Sequence, residues 1–299
     1  MLHIKVPQLE EIVEGAINQA SLEGKPQLIS IVNEIEYTSS YDFLDRAKGV
    51  DQHRLFWKSA GEDFAMVGVG SAHRILSADS HRFREIESVW NELRKKARVY
   101  DPFYVKGTGL VALGGFSFDA NQSELTPWEA FPDSQVTIPA YLLTNKGMKS
   151  YLSTNVLIFE EDHKQQIIHQ INEQQHQLLH GERQELKLPG RTSSVEMESE
   201  KWKQSIKQAT NDIKKGKLGK VVLARELRVK FNAPVELAAV VEELCETQSN
   251  SYIFAFENGG DHFIGATPER LVKVEKQKLI STCLAGRSLV EKMKRKTIS

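Results

Sequence analysis

The segment at residues 214–229, KKGKLGKVVLARELRV, constrains the fold of this chain more than any other. Its apolar run at 221–224 contains β-branched residues, which predicts a largely buried β-strand. Side chains alternate along a strand, so Lys220 and Glu226 share one face with Val222. An unpaired buried ammonium is costly. This lysine must therefore pair with an anion, extend to the surface, or lose its proton and become a possible general base.

Two further segments follow in a fixed order. Residues 263–271, FIGATPERL, predict a strand that ends at Pro268, with Glu269 directly after it, and residues 283–286 read CLAG. The run KVVLAR at 220–225, followed by GATPERL and CLAG at this spacing, resembles the chorismate-utilising enzymes. That family includes isochorismate synthases, salicylate synthases, anthranilate synthase large subunits and aminodeoxychorismate synthases.

The resemblance implies a reaction and the residues that perform it. Conversion of chorismate to isochorismate adds water at one ring carbon while the 4-hydroxyl leaves from another, so it needs a base and an acid on opposite sides of the ring. By resemblance, Lys220 is the base and must be neutral, and Glu269 is the acid and must be protonated. Burial favours both states. The family also uses Mg²⁺ to hold the ring carboxylate, and backbone groups of Leu284, Ala285 and Gly286 lie against the substrate.

The lysine at position 220 also narrows the choice within the family. Enzymes that add ammonia need no water-activating base, so Lys220 favours an isochorismate or salicylate synthase. The segment GGFSFD at 114–119 resembles the menaquinone-pathway isochorismate synthases. The alternatives are a salicylate synthase, a siderophore-pathway isochorismate synthase and, from another class, a non-catalytic chorismate-binding fragment.

The resemblance extends from about residue 20 to Gly286. Family members continue with a second half that carries the metal-ligand glutamates, and residues 287–299, RSLVEKMKRKTIS, are instead a basic tail without family features. A reading-frame shift of one nucleotide in a family-like acidic segment can produce residues 291–298. The motifs therefore predict a truncated, inactive chain that lacks its metal ligands. The alternative is a genuine tail that forms a disordered end.

The resemblance also implies an α/β (α+β) fold of the chorismate-binding, anthranilate-synthase-like type. Two layers of sheet with outer helices are expected, incomplete at the C-terminus. The predicted organisation has four parts: an N-terminal α/β region at 1–181, a linker at 182–198, the first part of the catalytic domain at 199–286 and the tail at 287–299.

Composition gives no sign of a macromolecular partner. The net charge of −1 provides no argument for nucleic acid or membrane binding. The chain has only two cysteines, which favours reduced thiols in a cytoplasmic protein. No signal peptide or membrane span is predicted. The expected partner is the small molecule chorismate, and the oligomeric state is left open.

Local patterns predict several helices and strands. They also contain a histidine group and a glycine pair, neither of which is expected to form a binding site. Histidines His169, His176 and His180 are expected on the solvated face of a helix, since no carboxylate in the segment completes a known ligand spacing such as HExxH. Gly114 and Gly115 are expected to mark a bulge rather than a phosphate cradle. The predicted helices lie at 82–99, 161–181, 199–216 and 235–245, and the predicted strands at 28–37, 65–70, 110–118, 140–144, 149–159, 251–256, 262–266, 271–274 and 279–283.

Overall fold

The computed structural model describes residues 6–78, 80–119, 128–183 and 187–281. The chain divides into two compact units. Unit 1 comprises Met1–Gln184 and Val241–Ser299, and unit 2 comprises Glu185–Val240. Each unit is described by itself.

The described chain contains both helices and strands throughout its length, which confirms the predicted mixed α/β class. The helices are α1 (Val6–Glu23), α2 (Ser40–Arg46), α3 (Arg82–Lys96), α4 (Lys164–His180), α5 (Ser199–Lys214) and α6 (Leu237–Thr247). The strands are β1 (Gln27–Ile35), β2 (Arg54–Lys58), β3 (Phe64–Val69), β4 (His73–Leu76), β5 (Arg98–Tyr100), β6 (Leu113–Phe116), β7 (Ser134–Ile138), β8 (Tyr141–Lys146), β9 (Lys149–Ile158), β10 (Arg191–Glu196), β11 (Leu227–Phe231), β12 (Tyr252–Asn258), β13 (Asp261–Thr267), β14 (Lys273–Glu275) and β15 (Lys278–Ile280).

Unit 1 is built on an eight-stranded sheet with the order β13-β12-β2-β3-β8-β9-β1-β5. Only β1 and β5 pair in parallel; the other neighbours are antiparallel. A three-stranded sheet, β4-β7-β6, and the β14–β15 hairpin complete the described strands of this unit. The β12–β13 hairpin turns at Gly259 and Gly260, which have φ values of 61° and 91°. Such values suit glycine because it has no Cβ.

One core cluster of unit 1 forms where α1 and α4 pack against each other and against β1 and β9. Apolar residues of α1 recur at three- and four-residue spacing and meet β1, β9 and α4. Burying these side chains away from water stabilises the packing. The cluster comprises Leu9, Ile12, Val13, Ala16, Ile29, Ile158, Ile168 and Ile171.

Most of the strongly patterned segments fold as predicted. The hairpin expected at 140–159 is β8–β9, and the histidine-rich helix is α4. The strands expected at 251–256 and 262–266 are β12 and β13. The helix α1 was not predicted, although its apolar spacing is helical. The predicted linker at 182–198 contains the strand β10. The four-part domain division itself stays a prediction.

The prediction of a buried strand at 221–224 is wrong. Residues 218–226 of unit 2 form an irregular segment between α5 and β11, and no described strand pairs with it. Without a neighbouring strand its apolar side chains stay in contact with solvent, and Val222 is 81% exposed. Among the described residues, β10 and β11 form a two-stranded sheet, and α5 has no buried residue.

The glycine pair of β6 lies in a regular strand, so the predicted bulge is wrong. Gly114 pairs with Val136, Gly115 pairs with Gln135, and the register does not shift. A Cβ on Gly114 would lie 2.1 Å from the carbonyl oxygen of Gln135, whereas a Cβ on Gly115 would have no atom within 4 Å. The close approach of the β7 backbone therefore explains why residue 114 is a glycine.

The two glycines provide a matched pair for a stability experiment. We expect Gly114→Ala to lower the free energy of unfolding by about 1–3 kcal/mol, because β6 and β7 must separate to admit the methyl group. Gly115→Ala should be nearly neutral. Urea denaturation of both variants measures the difference, and equal stability of the two would contradict the steric explanation.

Candidate functional site

Lys220 lies in the irregular segment of unit 2 and is exposed. The C-terminal end of this segment is anchored by Arg225. Its guanidinium stacks over the Trp202 ring at 5.0 Å, and its Nη1 lies 3.0 Å from Oε2 of Glu196. The predicted burial of Lys220 is therefore wrong for the described residues, and the lysine is carried on a segment fixed at one end.

Glu269 lies in unit 1, directly after β13, and is also exposed. The turn that carries it is held on both sides. The Thr267 hydroxyl accepts a hydrogen bond from the Glu269 backbone N–H and donates one to the Glu269 carbonyl, both at 3.2 Å. Arg270 donates to the Tyr252 hydroxyl at 2.9 Å and lies over its ring. Tyr252 pairs with Thr267 across the hairpin, so the sheet edge fixes the turn.

The remaining predicted contacts, Leu284, Ala285 and Gly286, lie outside the described residues. Lys220 and Glu269 belong to different units, so the position of each residue is described only within its own unit. Their roles as base and acid stay predictions.

A buried ionic cluster next to the β12–β13 hairpin was not predicted. Arg54 of β2 donates to both carboxylate oxygens of Glu257, from Nε at 2.5 Å and from Nη2 at 2.8 Å. His262 Nε2 lies 3.1 Å from Oε1 of the same carboxylate. Arg54 also donates to the carbonyl of Leu44. The cluster joins three adjacent strands and so fixes the hairpin that leads to Glu269.

The charge of Glu257 is maintained by these contacts. Burial alone would raise the pKa of its carboxyl, but the hydrogen bonds and positive charges of Arg54 and His262 outweigh burial and lower the pKa to about 2. Sequence patterns could show that β2 and β12 each carry a charged residue beside an apolar run. They could not show that the two strands, far apart in the chain, are neighbours.

The described residues do not provide a site that fits Mg²⁺. Within 6–78, 80–119, 128–183 and 187–281, no three His, Cys, Asp or Glu side chains are grouped so as to hold a metal ion. Mg²⁺ prefers several oxygen ligands. The metal therefore remains an implication of the family. In the same described ranges, no helix has the length and apolar character to cross a membrane.

Comparisons with known proteins agree with the motifs. The sequence pattern of the family described as "Chorismate binding enzyme" matches residues 15–297. The matched range includes most of the segment at 287–299 that the motifs assign to a non-family tail. Because the match covers nearly the whole chain, the chain belongs to the chorismate-binding enzyme family.

Individual relatives are isochorismate synthases. The chain is 28% identical over 277 residues to isochorismate synthase MenF of Bacillus subtilis, covering 91% of this chain and 59% of the relative. It is 25% identical over 280 residues to the salicylate biosynthesis isochorismate synthase of Pseudomonas aeruginosa, covering 91% of this chain and 56% of that protein. The chain thus spans somewhat more than half the length of these relatives.

A solved structure supports the fold. The menaquinone-specific isochorismate synthase MenF from Escherichia coli matches 87% of this chain and 56% of its own with a TM-score of 0.60 at 21% sequence identity. The similarity confirms the predicted chorismate-binding fold.

Proposed function

We propose that this protein acts in the conversion of chorismate to isochorismate. The observation that carries the proposal is the similarity to isochorismate synthase MenF of B. subtilis over 277 residues, in a chain with KVVLAR at 220–225 and GATPERL at 265–271. The product is proposed to serve menaquinone biosynthesis, in line with the name of the E. coli structure.

In the proposed reaction Lys220 removes a proton from the water that adds to the ring, and Glu269 donates a proton to the departing 4-hydroxyl. Backbone groups of Leu284, Ala285 and Gly286 hold the substrate. Because Lys220 and Glu269 are exposed, the proposal requires both side chains to be enclosed when chorismate binds, since only a dry site favours a neutral amine and a protonated carboxyl.

Chorismate turnover by the purified chain tests the proposal. Proton NMR distinguishes isochorismate from the pair salicylate and pyruvate, and calorimetry detects binding without turnover. We expect isochorismate to accumulate when chorismate and Mg²⁺ are supplied together. This expectation departs from the sequence prediction of an inactive chain, because the family match includes most of the segment at 287–299 on which that prediction rests.

The other outcomes separate the alternatives. Salicylate with pyruvate would identify a salicylate synthase. The P. aeruginosa relative, named as a salicylate biosynthesis isochorismate synthase, favours a role in salicylate biosynthesis as the second candidate. Binding of chorismate without any product would indicate a non-catalytic binding fragment. If the chain neither binds chorismate nor turns it over, the proposal is contradicted.

A further inference from the structure

The exposed face of α4 carries four possible metal ligands in one stripe. His169, Glu173, His176 and His180 are separated by four, three and four residues, which places them within about 60° of the helix circumference. All four side chains are exposed. The stripe divides into two pairs. His169 Nε2 lies 3.3 Å from Oε1 of Glu173, whereas His176 and His180 face each other.

The two rings of the second pair have the spacing of a chelating site. Their centroids are 5.3 Å apart with an angle of 53° between the planes. Two imidazole nitrogens at 2.0–2.1 Å from a tetrahedral metal ion place the ring centres roughly 5 Å apart. His176 and His180 are related by i,i+4, the spacing by which two histidines on one helix bind zinc in metalloproteases.

Space for the rest of a coordination sphere lies beside His176, one member of this pair. A surface groove of about 600 Å³ runs along α4, between Gly49 and Val50 on one side and Glu173, His176 and Gln177 on the other. The groove is open to solvent, so water can reach a metal ion held by the two rings and supply its remaining ligands.

We propose that His176 and His180 bind a divalent transition-metal ion, Zn²⁺, Ni²⁺ or Cu²⁺, with one ring nitrogen from each histidine and water at the other positions. Imidazole suits these ions, whereas Mg²⁺ takes oxygen ligands. The site is therefore distinct from any magnesium requirement of the proposed reaction, and it does not depend on that function. The three histidines are exposed, as the sequence predicts. The proposed metal site departs from the sequence interpretation, which set metal binding by these histidines aside.

Calorimetric titration of the full chain with NiCl₂ and with ZnCl₂, after removal of any affinity tag, tests the site. We expect saturable binding of one Ni²⁺ or Zn²⁺ ion per chain, and MgCl₂ should not displace the bound ion. His176→Gln and His180→Gln should each weaken binding by about tenfold or more, because one of the two protein ligands is lost. His169→Gln is the matched control, since it changes an exposed histidine of the same helix outside the pair, and it should bind as the parent does.

Thermal unfolding gives a second measurement. An ion that binds only the folded chain raises the melting temperature, so Ni²⁺ should stabilise the parent and His169→Gln but not the two pair variants. Circular dichroism without metal confirms that all variants retain the fold. No saturable binding of Ni²⁺ or Zn²⁺, displacement of the bound ion by an equal concentration of Mg²⁺, or an equal loss in His169→Gln would overturn the proposal.

Discussion

Glu257→Gln is expected to lower the free energy of unfolding by about 3–5 kcal/mol, because it leaves the buried Arg54 guanidinium without its counter-charge. Both side chains of the pair are only 4% exposed, so water cannot replace the lost partner. Arg54→Met should cost a similar amount, since it leaves the Glu257 carboxylate with His262 alone. Urea denaturation of the purified variants measures both effects.

The double variant Arg54→Met/Glu257→Leu distinguishes a lost interaction from an uncompensated charge. Replacing both members of a buried pair by apolar side chains is often close to neutral. We therefore expect the double variant to be more stable than either single variant. Glu275→Gln is the control, since its carboxylate is 48% exposed and lies 3.3 Å from Lys273. It should change stability by less than about 1 kcal/mol. Equal effects of Glu257→Gln and Glu275→Gln would contradict the argument.

The pH dependence provides an independent check on Glu257. Its folded-state pKa, about 2, lies below the ordinary value of 4.5. The folded state therefore gains stability from the ionised carboxylate at any pH above about 4.5, and this contribution is lost as the pH falls towards 2. The difference corresponds to about 3 kcal/mol. The Glu257→Gln variant should lose less stability than the parent as the pH falls from about 4.5 towards 2. An unchanged pH dependence of the free energy of unfolding would show that Glu257 does not contribute to acid unfolding.

Elements whose signal is local could be predicted from the sequence. The β8–β9 hairpin and α4 follow from alternation, turn residues and helical spacing within a short segment. The helix α1 has an equally local signal in the spacing of Leu9, Ile12, Val13 and Ala16. This helix is therefore also predictable from the sequence, although the predicted elements do not include it.

Features that depend on distant neighbours could not be predicted in the same way. The apolar run at 221–224 has strand-like residues whether or not another strand lies beside it, and only the neighbour decides whether it is buried. The Arg54–Glu257 pair depends on β2 lying next to β12, although the two residues are separated by 203 in residue number. The family motifs identified Lys220 and Glu269 as candidates, but sequence alone cannot show the exposure that each has.

Lys220→Met and Glu269→Gln are expected to reduce the turnover of chorismate by about a hundredfold to ten thousandfold, the range that a positioned base or acid contributes. Methionine retains much of the length of the lysine side chain without a titratable amine, and glutamine retains the shape of the glutamate without an acidic proton. Because Lys220 and Glu269 are exposed, neither change should disturb packing. The loss should therefore appear in kcat, with stability unchanged.

Lys217→Met separates the role of Lys220 from the general positive charge of its segment. Lys217 lies three residues earlier in unit 2, is exposed, and has Nζ 3.7 Å from Oδ1 of Asp212. Its replacement removes the same charge without touching the proposed base, so turnover should stay close to that of the parent. An equal loss in Lys217→Met and Lys220→Met would assign the effect to electrostatic attraction of the dianionic substrate rather than to proton removal. Full turnover in Lys220→Met would remove this lysine from the mechanism.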